Sequence, residues 1–303
     1  MYQTIASSGL PIDPFAMVED AASIMQFAAE HGWPVVVKPC MASSSEGVLQ
    51  VTGPGDVGRV SFETPLVAQA HNPHSVYHVD GLFGGLDLGP WRAARYLNTC
   101  LDFRQGSYLG SVEEDDPSLN GSLGTWTERF LRALTCIPVV FHLEVFVDRQ
   151  GSADPRCSFL EVGARVGGGE TALLWREVHE VDLMKHAFGL QAGFDLPEVP
   201  RLRWPPGEVA GHLLIPAPCV RPCRITRSTP MAGRDPGPYA EVVPQPGDVL
   251  PDSASFYEHV GGRFRFRGRS SDVVRGAILA TARGFQVDAE PLSSGASQVG
   301  APM

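Results

Sequence analysis

HLEVF, His142–Phe146, is followed across a polar turn by FLEVGARVGGGE, Phe159–Glu170, and the reading of this pair decides the fold. Val139–Val147 and Cys157–Gly163 read as strands, and the turn Asp148–Cys157 joins them into a hairpin. With the turn centred between Ser152 and Ala153, Glu144 faces Glu161, His142 faces Gly163 and Phe146 faces Phe159. Side chains alternate along a strand, so these residues share one face, with Arg165 further along it. Phe141, Leu143, Val145, Leu160 and Val162 fall on the other face as core. Like charges directly opposed across a sheet destabilise it. The pair therefore calls for a proton, a cation or water between its members. A divalent metal is one reading, with magnesium the best fit because it takes carboxylate and phosphate oxygens together. An exposed hairpin face is the other. Gly167, Gly168 and Gly169 follow, with a helix expected from about Glu170. Successive backbone N–H groups ahead of a helix can cradle an anion, although a triple glycine alone is also a plain flexible joint.

The two segments together resemble the metal-binding end of ATP-grasp enzymes, most of all the carboxylate–amine ligases related to D-alanine–D-alanine ligase and bacterial dipeptide ligases. The resemblance implies an α+β, ATP-grasp fold: two lobes of mainly antiparallel sheet clasping a nucleotide. It implies Glu144 and Glu161 as metal ligands, and Arg165 as the arginine that steadies the transferred phosphoryl group. The family's third ligand, an asparagine, falls at Gly163.

Outward from the hairpin, GWPVVVKP places Lys38 at the end of a three-valine strand. A buried ammonium there needs an anion, unless it snorkels to solvent. The resemblance makes Lys38 the lysine that contacts the nucleotide phosphates. CMASSSEGV takes the place of the phosphate lid, with Ser43, Ser44, Ser45 and Gly47 as its contacts. PLVAQA takes the place of the inter-lobe hinge whose backbone reads adenine, here Val67, Ala68, Gln69 and Ala70. Where the family carries an acidic pair, this chain has Ala68 and Gln69, and Val76 stands where a ribose-binding glutamate is common. RYLNTCLDF resembles a ligase-subgroup element, which implies that Arg95 faces the cleft and holds a carboxylate or the γ-phosphate.

The remaining pattern reads as helices over Asp20–His31, Leu119–Leu134, Ala172–Phe188 and Asp272–Arg283, the last capped by Ser271. Strands are expected at Pro34–Lys38, Val48–Val51, Leu66–Ala70, Val76–Leu82, Val209–Ile215, Tyr239–Val243 and Arg263–Phe266. Gly81, Gly84, Gly85 and Gly89 read as turns. The division expected is 1–70 as the small lobe, 71–290 as the large lobe with the metal and phosphate site, and 291–303 as a flexible tail.

The 303 residues carry a net charge of −10, which argues against nucleic acid or an anionic membrane as partner. No apolar run reaches the roughly 18 residues of a membrane span, and the N-terminus lacks the basic and apolar regions of a signal peptide. The six cysteines form no CxxC pair. They read as reduced thiols of a cytoplasmic protein rather than a zinc site at Cys219 and Cys223. His71, His74, His78 and Asp80 cluster as polar residues at the cleft edge or as a transition-metal set. There is no nucleophile elbow, Walker loop or Rossmann fingerprint.

The expectation is an ATP-dependent ligase joining a small-molecule carboxylate to an amine, an amino acid or peptide, through an acyl phosphate. ATP and Mg2+, or Mn2+ in its place, are the cofactors. The alternative is a catalytically degenerate nucleotide-binding or interaction module. The family also has an α/β domain ahead of the small lobe, whereas IASSGLPIDPF resembles the linker into that lobe. A homo-oligomer or a partner chain supplying that surface is therefore expected.

Overall fold

The computed structural model describes residues 1–149, 155–194, 207–218, 220–252 and 260–292. Its elements run α1 (Tyr2–Ser7), β1 (Phe15–Val18), α2 (Ala21–His31), β2 (Val35–Pro39), β3 (Leu49–Val51), a 3-10 turn, β4 (Leu66–Ala70), β5 (Ser75–Gly84), β6 (Leu88–Tyr96) and α3 (Cys100–Arg104). They continue β7 (Leu109–Glu113), α4 (Pro117–Leu134), β8 (Pro138–Asp148), β9 (Arg156–Gly163), α5 (Thr171–Val178), α6 (Leu183–Ala192) and β10 (Val209–Pro216). The last are β11 (Cys223–Ser228), β12 (Ala240–Val242), β13 (Val249–Leu250), β14 (Val260–Gly268), α7 (Ser271–Gly284) and β15 (Val287–Pro291).

Three sheets result. A four-stranded sheet has the order β1-β4-β2-β3, an eight-stranded sheet the order β12-β14-β10-β7-β6-β5-β8-β9, and a three-stranded sheet the order β13-β11-β15. The named strand pairs are antiparallel, so the expected α+β class with mainly antiparallel sheets is what the chain adopts.

Each sheet buries one face, and the sequence alternation explains which. In the small sheet Val35, Val37, Leu66 and Ala68 turn inward against Ile24, Phe27 and Ala28 of α2. Asp20 caps that helix and closes a capping box with Ser23, so the helix starts where its apolar stripe does. In the large sheet Tyr77, Val79, Ala93, Phe141, Leu143, Val145 and Phe159 pack on Leu119, Leu123, Phe130 and Leu131 of α4 and on Ile5 of α1. Burying each large apolar side chain of this kind contributes roughly 1.5–3 kcal/mol. α7 covers the far end of the sheet through Val274, Ala277 and Ile278.

Several expectations are corrected. Gly81 and Gly89 lie inside strands, because β6 closes a hairpin on β5. A Cβ on Gly81 would meet the Pro90 carbonyl oxygen at 2.4 Å, so that glycine permits close strand approach rather than a turn. The helix expected over Ala172–Phe188 is two helices, broken where Glu180 takes a positive φ of 60°. Ser270, not Ser271, caps α7 by accepting from the Val273 N–H. Of the expected tail, Pro291 pairs with Cys223 in a strand, and residues 293–303 lie outside the described residues. Cys219 also lies outside them. No helix among the described residues is long and apolar enough to cross a membrane.

The hairpin carries the most informative departure. Glu144 pairs with Glu161 and His142 with Gly163, as the alternation requires, but Val145 then pairs with Phe159. One extra residue, Leu160, is inserted as a β-bulge between Glu144 and Val145. Phe159 therefore belongs to the core, at 0% exposure, while Leu160 turns to the opposite face and lines the cleft with Phe146 and Glu161. The expected pairing of Phe146 with Phe159, and the expected core position of Leu160, are both corrected. A bulge re-aims side chains in just this way.

The linker between α1 and β1 crosses the free edge of the large sheet. The Phe159 N–H donates to the Pro11 carbonyl at 2.9 Å, and Ile12 forms a parallel bridge with Phe159.

Candidate active site

The uncovered face of the small sheet and the front face of the large sheet bound a cleft of about 490 Å3, within the range of small-molecule sites. Along β8 the front face reads Val140, His142, Glu144, Phe146, and register sets these against Leu82, Asp80, His78 and Val76 of β5. Val140 and Leu82 are covered by Trp175 of α5 and Leu183 of α6. Phe146 and Val76 line the open cleft. The polar rungs lie between two apolar ones.

These polar rungs form one hydrogen-bonded chain. His78 Nδ1 lies 2.6 Å from one oxygen of Asp80, and His142 Nδ1 lies 2.9 Å from the other. His78 Nε2 meets Ser111 Oγ at 2.6 Å, and His142 Nε2 meets Glu144 Oε1 at 3.3 Å. The Tyr96 hydroxyl donates to the same Glu144 oxygen at 3.0 Å. Burial alone would raise the Asp80 pKa, but the two imidazoles outweigh it and hold the carboxyl well below the usual range. Burial lowers His142, yet Asp80 and Glu144 together carry it up to about 10. The one group of three or more potential ligands close enough for a metal ion among the described residues is His78, Asp80 and His142. The buried triad, not a cleft-edge polar patch, is where His78 and Asp80 sit, while His71 and His74 line the cleft mouth.

Glu144 and Glu161 differ in setting. Burial raises the Glu144 pKa, but the His142 hydrogen bond and the charges of His142 and His78 outweigh it, so it lies below the ordinary value. Enclosure by the cleft walls and then the charge of Glu144 push Glu161 up, opposed by Lys38, His142 and Arg165. Glu161 nonetheless reaches solvent. Lys38 comes from the small sheet, and desolvation lowers its pKa against the pull of Glu161, Glu144 and Asp13. Its ammonium also lies 5.2 Å from the centroid of the Tyr2 ring, a cation–π distance. Two carboxylates of opposite pKa shift with a lysine across the cleft are oxygen donors of the kind that would suit a divalent cation.

Of the other sequence-selected residues, Ser43, Ser44, Ser45, Gln69, Ala70 and Arg165 line the cleft. Ser44 and Ser45 have φ of 53° and 55°, the left-handed region that glycine occupies without strain. Arg104 of α3 holds this loop by donating to the Ser44 carbonyl. Gly47 has φ of 69°, and a Cβ there would meet Pro39 at 2.7 Å. Val67 and Ala68 are buried in β4 and are not among the lining residues. Arg165 donates to the Val166 carbonyl at 2.9 Å.

Arg95 does not face the cleft, which corrects the expectation. It pairs with Tyr77, on the side of the sheet where Ala93 and Tyr77 join the core. The basic residue that β6 presents to the front face is Arg92, opposite Asp80. The triple glycine has a packing role as well, while Gly168 and Gly169 line the cleft. A Cβ on Gly167 would meet Asp80 Oδ1 at 2.3 Å and His142 Nδ1 at 3.0 Å, and one on Gly169 would meet His212 Nε2 at 2.9 Å. The glycines let the segment lie against the buried imidazoles.

Sequence reasoning missed Tyr96, Ser111, His142's link to Glu144, and His212. His142 and Tyr96 were within reach of the alternation argument. Ser111 and His212 sit on β7 and β10, whose pairing no local pattern announces.

This architecture is the ATP-grasp fold, and the resemblance read in the two glutamate segments is borne out. Solved structures that share it include an L-amino acid ligase from Bacillus licheniformis, with a TM-score of 0.67, 16% identity, and coverage of 94% of this chain and 70% of that one. A biotin carboxylase from Campylobacter jejuni gives a TM-score of 0.61 at 13% identity, over 95% of this chain and 66% of that one. In sequence, the chain is 33% identical over 98 residues to the D-alanine–D-alanine ligase of Streptomyces avermitilis and 31% identical over 98 residues to that of Streptomyces griseus. Each match takes in 29% of this chain and only 24% of the ligase. No protein-family model matches the sequence.

Proposed function

We propose that the chain is an ATP-dependent ligase that joins a carboxylate to an amine through an acyl phosphate, releasing ADP and phosphate. The observation that carries this is the opposed pair Glu144 and Glu161, set across the cleft of an ATP-grasp fold from Lys38. In this reading residues 1–70 and 71–290 are the two jaws. Glu144 and Glu161 would hold Mg2+, which would supply neutralisation of phosphate charge. Lys38 contacts the α- and β-phosphates, Ser43–Ser45 and Gly47 close over them, and the backbone of 67–70 borders the base. Arg165 stabilises charge on the moving phosphoryl group and the carbonyl oxygen. The substrate carboxylate takes the phosphoryl group, then the amine displaces phosphate, and closure of the jaws keeps water from the acyl phosphate.

His142 and Tyr96 both bind one oxygen of Glu144, which fixes the carboxylate. Amino acids or short peptides are the substrates proposed, and the cytoplasm the compartment, in keeping with the free cysteines of the described residues. The test is ADP release with ATP, Mg2+ and a panel of amino acids and dipeptides, with Glu161→Gln as the blank. Amine- and carboxylate-dependent ADP release, absent in the blank, is expected. Nucleotide binding without turnover on any substrate would instead favour the degenerate module. Gly163 is the observation on that side, since a Cβ there would meet Arg165 Cγ at 3.1 Å, leaving the third-ligand position to the arginine's stem.

A further inference from the structure

Behind Glu144 the buried chain has the composition of a second metal site. His78 Nδ1, an Asp80 oxygen and His142 Nδ1 lie within 4.8 Å of one another. His78 and Asp80 are alternate residues of β5, and Asp80 pairs with His142 of β8. All three side chains are buried. Two adjacent strands therefore fix the set, with no loop needed to complete it.

Three features of its surroundings suit an ion. The first stands behind each imidazole. A metal-binding histidine turns its other nitrogen to a fixed acceptor, which sets the tautomer. His78 Nε2 meets Ser111 Oγ at 2.6 Å, and His142 Nε2 meets Glu144 Oε1 at 3.3 Å. Both Nδ1 atoms are thereby aimed at Asp80. The second is room. The Cβ that Gly167 lacks would lie 2.3 Å from Asp80 Oδ1 and 3.0 Å from His142 Nδ1, so glycine leaves a corner open beside both donors. The third is a fourth ligand position. His78 and Asp80 border a cavity of about 20 Å3, enough for one water. Arg92 borders it too, with Glu113 to offset its charge. His142, Gly168 and Gly169 line the main cleft, which gives an ion its way in.

We propose that His78, Asp80 and His142 bind one divalent transition ion, zinc or a close neighbour. Two imidazole nitrogens and one carboxylate suit zinc, whereas magnesium takes oxygen ligands. Three protein ligands and a water make a four-coordinate site. Bonds of about 2.0–2.1 Å draw the two rings inward by small rotations. Any proton on Nδ1 leaves to solvent, and each ring keeps its Nε2–H, donated to Ser111 Oγ or to Glu144 Oε1. The site is separate from the pair Glu144 and Glu161, and it stands whether or not that pair holds magnesium. Its effect is to pin β5 to β8 beneath the glycine segment and to hold the imidazole that fixes Glu144.

The test is cobalt titration of the full chain after dialysis against a chelator, followed by visible absorption. Co2+ takes the place of Zn2+ and shows intense ligand-field bands when four-coordinate. One equivalent should bring up those bands, Zn2+ should abolish them, and excess Mg2+ should leave them. His78→Gln should weaken cobalt binding by roughly a hundredfold or more. Ser111→Ala keeps all three ligands and should weaken it about ten- to a hundredfold. Glu161→Gln should leave it within twofold. Bands that need a large excess of Co2+ overturn the proposal. So does unchanged binding in a folded His78→Gln, or loss of the bands in Glu161→Gln, which would put the ion on the cleft carboxylates. Should His78→Gln not fold, unchanged binding by Ser111→Ala overturns it equally.

Discussion

Glu161→Gln should make the metal-free protein more stable. Glu161 and Glu144 are opposite residues of adjacent antiparallel strands, a relation that places Cβ atoms about 4.5–5.5 Å apart. Two unit charges about 5 Å apart in an effective dielectric near 20 repel by roughly 3 kcal/mol. Glu161 reaches solvent, and exposed charges realise only a fraction of such a figure. The variant also gives up the attraction of Lys38 and Arg165 named among the influences on Glu161. A net gain of about 1 kcal/mol remains, which for a chain of this size raises the unfolding midpoint by about 2 °C. The assay is thermal unfolding by calorimetry in the presence of a chelator, repeated with Mg-ADP. The variant should unfold above the unaltered protein in chelator and lose the increment that Mg-ADP confers. The sign with pH can be worked out as well. Burial and Glu144 raise the folded pKa of Glu161, so the native state holds that proton more tightly than the unfolded chain. Stability from this group rises as pH falls through the raised pKa, and the gain from Gln should shrink in acid. A lower midpoint for Glu161→Gln in chelator would refute the reasoning, because it would mean that the cations around Glu161 already outweigh its repulsion from Glu144.

Gly167→Ala should drive Asp80 off its two imidazoles, since the added Cβ falls 2.3 Å from Asp80 Oδ1. Breaking a buried charged network of this kind costs roughly 3–5 kcal/mol, to be read by denaturant unfolding against Gly58→Ala, where nothing lies within 4 Å. His212 is buried and neutral, its pKa lowered to about 3 by burial first and then by His78. The unfolded chain therefore binds the extra proton, and this group's contribution is lost as pH falls from about 6.5 toward 3, by up to about 1.4 kcal/mol per pH unit. The stability–pH curve of His212→Gln should be shallower over that window, and an identical slope would count against a neutral buried imidazole. Lys38→Met should weaken Mg-ADP binding at least tenfold in calorimetry, while Arg95→Lys, on the opposite face of the sheet, should leave it within twofold.

Much of the hairpin was legible because alternation with period two is a local property. It placed Glu144 opposite Glu161 and His142 opposite Gly163, and it put Leu143 and Val145 in the core. The bulge at Leu160 was not legible, because its cause is tertiary: Phe159 fits among Phe130, Tyr2 and the α4 core, and no local signal competes with that. Arg95 was assigned by resemblance, and the register of β6, set by its pairing with β5, turned it over. The break after α5 at Glu180 was hidden by an apolar period that runs on through both helices. Gly167 and Gly169 read equally well as joint or cradle, since what they pack against comes from β5, β8 and β10.

The linker laid along β9 adds a tie between the two sheets, besides the chain that runs from β4 into β5 and the Arg104–Ser44 contact. β9 is the last strand of the large sheet, and its outer edge is claimed by Pro11 and Ile12, a few residues before the small sheet begins at Phe15. Any swing of the small sheet relative to the large one pulls on that strap. The strap is fastened to Phe159, two residues from Glu161. Were the proposed jaws to open, the linker would either peel from the edge or drag the hairpin carboxylate with it. In mechanical terms, the lever that moves the lobe is hitched to the strand that carries half of the acidic pair.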